Sequence, residues 1–339
     1  MLNFPFVSLF VFIMFFGSLF SLSSAHWFAV WLGLELNLMG FIPIMVQKST
    51  SEETESGVKY FLIQASGSAL FLLGLMMMNW SFSSWDMNFY SSFLNSGFVF
   101  FGLLMKLGGA PLHFWVPSVV AGLSWFSNFL LLTLQKVGPL FMICCFLNLS
   151  THLLVALVIM SSLFGGVGGV NQTSLRALMA YSSILHMGWM LAGASVSWMV
   201  CFIYFFFYCL ILVFFVLLLI TEESLNMSQF NNIFLWDGHS RNYLVFMLLS
   251  LGGMPPMLGF FSKWLILMGL LSFGNVLIVM ILAVGSMASL YYYLVLSFSL
   301  FMSDSMESMK NRLAPSKLFW IGGLVTASGL VVPFWLSAL

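Results

Sequence analysis

The chain has 339 residues, of which 61% are hydrophobic and 6% are charged, and its formal net charge is +0. Soluble domains average about 25% charged residues, so this composition excludes a water-soluble fold. The balanced charge gives no reason to expect a nucleic-acid partner. The four cysteines lack the spacing of a zinc site or a disulfide framework. We therefore predict an integral membrane protein.

Apolar runs along the chain are long enough to form transmembrane helices. A helix needs about 20 apolar residues to cross the hydrocarbon core, and about eleven runs meet that requirement. The runs are continuous rather than alternating, which favours helices over strands. They cover residues 3–21, 26–47, 59–79, 95–115, 122–146, 150–170, 173–195, 197–220, 243–268, 273–299 and 317–336. The predicted fold class is thus an all-α, polytopic membrane protein of about eleven transmembrane helices.

The polar stretches between the spans are predicted to be loops, the longest being Gln47–Gly57, Thr221–Arg241 and Ser303–Ser316. Basic residues in or beside these loops predict the orientation of the chain. All of them follow even-numbered helices: Lys48, Lys59, Arg176, Arg241, Lys310, Arg312 and Lys317. Positively charged loops stay on the cytoplasmic side, or on the matrix side in a mitochondrion. We therefore expect the N-terminus on that side and the C-terminus on the opposite side.

Besides the basic residues in or beside the loops, four charged residues lie inside the predicted spans: Glu35, Lys106, Lys136 and Lys263. Each costs at least about 2.5–3.5 kcal/mol at the bilayer centre, so such residues are by default functional. Snorkelling from a span end does not explain Glu35 or Lys136, which lie in mid-span, but it stays open for Lys263. Glu35 is the single acidic residue in a span, and it is expected to pair with one of the lysines.

Buried lysines are suited to proton transfer. Burial disfavours the ammonium form of a lysine, whereas a nearby carboxylate favours it. A lysine whose carboxylate partner moves can therefore load and release a proton. His186, in the middle of the seventh predicted helix, fits a proton relay and a structural role equally well. His113, near the end of the fourth, is a further candidate.

Two spans contain clusters of glycine and proline that predict broken helices. One runs from Lys106 to Pro117 and the other from Leu251 to Lys263. Proline removes a backbone donor and clashes with the preceding turn, and broken helices are tolerated at membrane depth where they line a cavity. The breaks are five helices apart. This spacing predicts two inverted five-helix repeats, at residues 1–146 and 150–299, followed by a C-terminal helix within residues 317–339.

Several segments together resemble the antiporter-like membrane subunits of respiratory complex I (NADH:ubiquinone oxidoreductase) of animal mitochondria. The resemblance covers nearly the whole chain. The segments that carry it are Trp31–Asn37, Lys59–Ala65, Lys106–Pro117, Gln135–Pro139, Gly168–Arg176, Ala180–Met190 and Leu251–Trp264.

The resemblance implies a proton-translocating core subunit of the complex I membrane arm, in the mitochondrial inner membrane. Glu35 and Lys106 match the coupling ion pair of the family, and Lys136 matches its central lysine. Lys263 matches the lysine from which the proton leaves toward the intermembrane space, and His186 matches the histidine between these two lysines. The matrix side is then the side of the N-terminus.

The resemblance also implies that this subunit of a proton-pumping NADH:ubiquinone reductase has no redox site and no cofactor of its own. NADH, FMN, iron–sulfur clusters and ubiquinone are expected in partner subunits. The expected partners are other membrane-arm subunits, including neighbouring antiporter-like subunits, together with accessory subunits and membrane lipids.

Two alternatives remain open at the level of the sequence. One is a free-standing or Mrp-type cation/proton antiporter. The chain has no second carboxylate in a span, which disfavours a dedicated sodium site because hard cations prefer oxygen ligands. The other is a purely structural subunit in which every buried charge has a fixed partner. Three lysines against one glutamate do not balance in this way.

Overall fold

The computed structural model describes residues 6–47, 50–82, 93–145, 151–225, 238–302 and 322–323. Regular structure in these residues is helical, without a β-strand. In chain order, the helices are α1 (Phe6–Ser23), α2 (Trp27–Met45), α3 (Ser51–Phe82), α4 (Phe93–Leu107), α5 (Trp115–Gly122), α6 (Trp125–Leu132), α7 (Leu134–Cys145), α8 (Thr151–Val170), α9 (Leu175–Val196), α10 (Trp198–Leu225), α11 (Gly238–Gly252), α12 (Leu258–Ser272) and α13 (Val276–Met302).

Seven helical segments in the described residues are long and apolar enough to cross a membrane. Two shorter apolar helices, Gly97–Leu107 and Leu258–Ser272, flank the predicted breaks. These segments confirm the prediction of an all-α, polytopic membrane fold. The helix predicted at residues 317–336 lies outside the described residues except for Gly322 and Gly323, which are helical.

The chain divides into two compact units. The first contains Met1–Ser161 and Gln172–Met187, and the second contains Ser162–Asn171 and Gly188–Leu339. The predicted pair of inverted five-helix repeats remains a prediction.

Both predicted breaks are confirmed, and each begins at a glycine in the left-handed conformation. The φ angle is +68° at Gly108, directly after α4, and +81° at Gly253, directly after α11. Glycine adopts this conformation without the steric cost of a Cβ atom. In each break, the amide of the residue after this glycine donates a hydrogen bond to the carbonyl five positions earlier. Gly109 donates to the Leu104 carbonyl at 3.3 Å, and Met254 donates to the Leu249 carbonyl at 3.2 Å. Helices often end with such a bond.

The fifth predicted span, residues 122–146, is not one continuous helix. Residues 115–122 form the separate short helix α5, and Thr133 interrupts the span between α6 and α7. The Thr133 hydroxyl donates to the Phe129 carbonyl at 2.6 Å. Pro139 lies inside α7 and has no N–H for the Gln135 carbonyl one turn earlier. Lys136 therefore lies in an irregular stretch of its helix.

Helix α3 begins eight residues before the predicted span, so the expectation that Gln47–Gly57 is a loop was wrong for residues 51–57. Two features stabilise this early start. The Glu53 amide donates to the Thr50 hydroxyl at 3.3 Å, which caps the helix. Glu52 and Glu53 place negative charge in the first turn, where it interacts favourably with the helix dipole.

Glycines allow α1 and α2 to pack in direct backbone contact. A Cβ atom on Gly33 would lie 2.7 Å from the Ser21 nitrogen and 2.8 Å from the Gly17 oxygen. Because both neighbours are backbone atoms, they cannot move aside without shifting a helix. Close approach through small residues is how helices associate in lipid, where apolar burial gives no driving force.

We expect Gly33→Ala to destabilise the protein by about 1–3 kcal/mol, the usual cost of overpacking. Gly97→Ala is the matched control, because a Cβ atom there meets nothing within 4 Å. The measurement is the temperature at which half of the detergent-solubilised chain aggregates. It should fall for Gly33→Ala and stay level or rise for Gly97→Ala. Equal temperatures for the two variants would contradict the packing argument.

Candidate functional site

Glu35 on α2 and Lys106 at the end of α4 form an ion pair inside the first unit. The Lys106 Nζ lies 3.5 Å from the Glu35 Oε1. This distance is longer than the roughly 2.7–2.9 Å of a charge-assisted hydrogen bond. The Lys106 side chain is 4% exposed, whereas that of Glu35 is 20% exposed. The pair is thus loose, and Glu35 is the more exposed of the two side chains, although its Oε1 atom is buried.

The end of α4 is anchored through its backbone. The Gln64 Nε2 on α3 donates to the Lys106 carbonyl at 3.3 Å, and Gln64 is buried. This carbonyl lies in the last turn of α4, where the following break removes its intrahelical partner. Gln64 therefore holds the backbone of Lys106 while its ammonium faces Glu35.

Lys136 on α7 is buried and contacts α9. Its Nζ lies 3.4 Å from the Ser183 carbonyl, to which it donates. His186 is also buried and lies three residues further along α9. Residues three apart lie on one face of a helix, so Lys136 contacts the face of α9 that carries His186. The first unit thus contains four of the five predicted site residues.

Lys263 on α12, in the second unit, turns back onto the broken end of α11. Its Nζ donates to the Gly252 carbonyl at 2.7 Å and to the Leu251 carbonyl at 3.4 Å. These carbonyls are at the negative end of the helix dipole, which favours a cation. The Trp189 ring centroid lies 5.8 Å from the same Nζ, within the range of a cation–π interaction. Lys263 is 6% exposed, so it does not snorkel to the surface.

His113 lies in the turn between α4 and α5 and is buried. Its ring stacks on the Phe114 ring, with centroids 4.4 Å apart. This position is at the first break rather than in a continuous helix.

Several polar residues near the site were missed as candidates. Arg176 at the start of α9 donates to the Ala121 carbonyl at 3.2 Å and lies over the Trp125 ring. The Asn128 Nδ2 donates to the Val120 and Leu123 carbonyls. These contacts satisfy carbonyls at the C-terminal end of α5. Isolated polar residues in apolar runs were the available signal, but their partners depend on tertiary contacts.

A second set of missed residues is the hydrogen-bonded row of Tyr60, Gln135 and Asn37, which are all buried. They lie on α3, α7 and α2.

No group of three or more His, Cys, Asp or Glu side chains in the described residues is arranged to hold a metal ion. The ionisable groups of the site are the amines of Lys106, Lys136 and Lys263, the Glu35 carboxylate and the His186 imidazole, all of which can exchange protons.

The fold and the site together define a polytopic membrane protein that keeps ionisable side chains inside its spans, beside interrupted helices. Residues 24–289 match the family model described as NADH:quinone oxidoreductase/Mrp antiporter, TM. The chain belongs to this family.

Relatives with similar sequences are named NADH-ubiquinone oxidoreductase chain 2. The protein from Anopheles gambiae is 36% identical over 337 residues, which cover 96% of this chain and 98% of the relative. The protein from Metachirus nudicaudatus is 39% identical over 293 residues, covering 84% and 82%.

Solved structures with low sequence identity show a similar fold. Respiratory complex I from Thermus thermophilus contains a chain that matches with a TM-score of 0.81 at 24% identity, covering 97% of this chain and 79% of that one. The Mrp complex from Dietzia sp. contains a chain that matches with a TM-score of 0.83 at 14% identity, covering 96% and 75%. The antiporter-like fold is thus shared with both.

We expect Gly253→Ala to loosen the contact between Lys263 and α11. A Cβ atom on Gly253 would lie 3.0 Å from the Lys263 Nζ, at a positive φ that costs a side chain about 1–2 kcal/mol. Gly274→Ala is the matched control, because its φ is +73° but a Cβ atom there meets nothing within 4 Å.

The measurement for this pair of variants is the labelling of Lys263 by a membrane-permeant amine reagent, quantified by mass spectrometry. Labelling should rise several-fold in Gly253→Ala and stay at the wild-type rate in Gly274→Ala. A similar rise in both variants would show that backbone strain, rather than the contact with Lys263, causes it.

Proposed function

We propose that this chain is the antiporter-like subunit 2 of mitochondrial respiratory complex I, a core subunit of the proton-translocating NADH:ubiquinone reductase. Relatives that carry the name NADH-ubiquinone oxidoreductase chain 2 support this assignment over 96% of the chain. The subunit moves protons across the inner membrane while partner subunits transfer electrons from NADH to ubiquinone. Those partners hold the NADH and ubiquinone sites, the FMN and the iron–sulfur clusters.

The observation that carries the proposal is the loose ion pair between Glu35 and Lys106, 3.5 Å apart at membrane depth. Two unit charges about 4 Å apart interact by about 4 kcal/mol at an effective dielectric constant of about 20. Opening the pair therefore shifts the equilibrium between protonated and neutral Lys106 by up to about a thousandfold, toward the neutral form. A movement of Glu35 away from Lys106 therefore favours release of the Lys106 proton to a neutral acceptor.

Glu35 is suited to receive the coupling signal from a neighbouring membrane-arm subunit. Its side chain is the more exposed partner of the pair, at 20% against 4% for Lys106. A change of charge outside this chain can attract or repel the carboxylate. Lys106 is then left without its counter-ion in a buried environment, which disfavours the ammonium form.

Lys136 is the acceptor in the next step. Its Nζ donates to the Ser183 carbonyl at 3.4 Å. As a neutral amine, Lys136 keeps this hydrogen bond and accepts the incoming proton on the nitrogen lone pair. A positive charge that appears nearby disfavours the protonated form of a lysine. We place His186, on the same face of α9 as the Ser183 carbonyl, as the next group in the relay.

Lys263 is the residue from which the proton leaves. Its ammonium is held by α11 carbonyls, and the break that frees them also provides polar backbone at membrane depth. We propose that the exit opens to the intermembrane space and that the N-terminus lies in the matrix. Two inverted five-helix repeats, residues 1–146 and 150–299, would contribute one half-channel each, with a further helix within 317–339.

The Mrp-type antiporter and the structural subunit are less well supported. The Mrp structure is 14% identical and shares the fold alone. A structural role requires a fixed partner for each buried charge, yet the Glu35–Lys106 distance exceeds that of a tight ionic hydrogen bond.

We expect Lys136→Met to abolish proton translocation through this subunit, because methionine fills the same space without a titratable group. The protons moved per NADH oxidised should fall, while the amount of assembled complex I stays near wild type. Lys59→Met is the matched control, since Lys59 lies near the N-terminal end of α3 and its side chain is 44% exposed. The ratio is measured with pH-sensitive dye in sealed inner-membrane vesicles. A normal ratio in Lys136→Met would refute the relay.

The chain should migrate with NADH-oxidising activity on a native gel of detergent-solubilised inner membrane. Complex I membership requires this co-migration, and mass spectrometry of the active band identifies the chain. A free-standing antiporter would migrate apart from all NADH-oxidising activity and would show sodium-dependent proton movement.

A further inference from the structure

Three buried polar side chains that take no part in the relay form a continuous hydrogen-bonded row. The Tyr60 hydroxyl donates to the Gln135 Oε1 at 3.2 Å, and the Gln135 Nε2 donates to the Asn37 Oδ1 at 3.0 Å. The three side chains are 1%, 9% and 2% exposed, respectively. They join helices α3, α7 and α2. A buried polar row of this kind needs an explanation, because each of its members is costly to bury without a partner.

The row lies beside the groups that are proposed to transfer the proton. Asn37 is two residues after Glu35, and Gln135 directly precedes Lys136. Gln64 lies one turn after Tyr60 on the same face of α3 and donates to the Lys106 carbonyl. One face of α3 is therefore hydrogen-bonded both to the backbone of Lys106 and to the residue before Lys136.

The environment of Tyr60 fixes its hydroxyl in place. The Tyr60 ring lies edge-on to the Phe41 ring, with centroids 5.2 Å apart, and 5.7 Å from the Trp115 ring centroid. Phe41 is on α2 and Trp115 begins α5, directly after the first break. Aromatic packing on two sides thus leaves the hydroxyl directed at Gln135.

The chemistry of the row favours positioning over proton conduction. The central Gln135 amide accepts through its oxygen and donates through its nitrogen. Its N–H protons are far less acidic than those of an imidazole or an ammonium group. A proton could pass through the amide only by way of an unstable imidic acid form. The row therefore fixes distances and does not carry the proton.

We propose that Tyr60, Gln64, Gln135 and Asn37 are positioning residues that set the spacing between the Glu35–Lys106 pair and Lys136. This inference rests on the proposed relay. Spacing matters for two reasons. The interaction between charges falls with their separation, and proton transfer requires hydrogen-bond reach, directly or through one water. The face of α3 made by Tyr60 and Gln64 holds both lysine-bearing segments at once.

The test is Tyr60→Phe in assembled complex I, because this change removes one oxygen atom and keeps the ring. Tyr291→Phe is the matched control, since Tyr291 is 57% exposed. The readouts are protons moved per NADH oxidised in sealed vesicles, the coupled rate of NADH oxidation and the amount of assembled complex. A purely structural hydrogen bond would lower the amount of complex and leave the proton ratio of the remaining complex unchanged.

We expect Tyr60→Phe to lower the coupled rate several-fold, because proton transfer depends on donor and acceptor being within hydrogen-bond reach. The proton ratio should fall as well, with assembly near wild type. Gln64→Met, which removes the contact with the Lys106 carbonyl, should act in the same direction. Control-level rates and ratios in both variants would overturn the proposal.

A double-mutant cycle provides a second, independent criterion. Gln135→Met breaks the same hydrogen bond from its other side, so its effect on the proton ratio should not add to that of Tyr60→Phe. Fully additive effects would show that the two residues act separately, and they would also overturn the proposal.

Lys136→Met, measured in parallel, distinguishes a failure of the positioning role from a failure of the proton relay. If Lys136→Met loses proton transfer and Tyr60→Phe does not, the positioning role fails and the relay stands. If Lys136→Met keeps a normal ratio, the relay itself fails.

Discussion

A buried ammonium group needs an oxygen atom nearby, and the described part of this membrane fold supplies one to each buried lysine. Lys106 lies opposite a carboxylate, whereas Lys136 and Lys263 contact backbone carbonyls. In lipid neither water nor a polar surface is available to replace these contacts. The positions of the helices that carry the oxygens are therefore tied to the positions of the lysines.

Interrupted helices are the means by which the backbone provides such oxygens. A regular helix uses its carbonyls internally, but a helix that ends at membrane depth leaves its last carbonyls without partners. Lys263 takes up the free carbonyls of α11, while Arg176 and Asn128 occupy those at the end of α5. The same breaks that are costly for folding thus create the polar positions that a proton relay requires.

The lysines differ in how tightly they are held, and this difference agrees with the proposed direction of transfer. The Glu35–Lys106 pair is loose at 3.5 Å, while Lys263 donates to a carbonyl at 2.7 Å. A loose ion pair can open when the charge beside it changes. Around it, Tyr60 and Gln64 on α3 hydrogen-bond to Gln135 and to the Lys106 carbonyl. In the proposed arrangement these bonds fix the helices while the carboxylate moves.

The sequence by itself determined the membrane fold, most of the spans and both breaks, because hydropathy, glycine and proline act locally along the chain. The capping of α3 by Thr50 is equally local. The polar stretch around Thr50 nevertheless predicted a loop, because a run of polar residues is typical of loops. Only the tertiary structure decided that Glu35 faces Lys106, 71 positions away in the sequence, and that Lys136 contacts Ser183. Family resemblance implied the first pairing, but the residues alone left all three lysines open. The hydrogen bonds from Tyr60 through Gln135 to Asn37 could likewise not be predicted from the sequence, since a buried hydrogen bond between helices depends on how the helices pack.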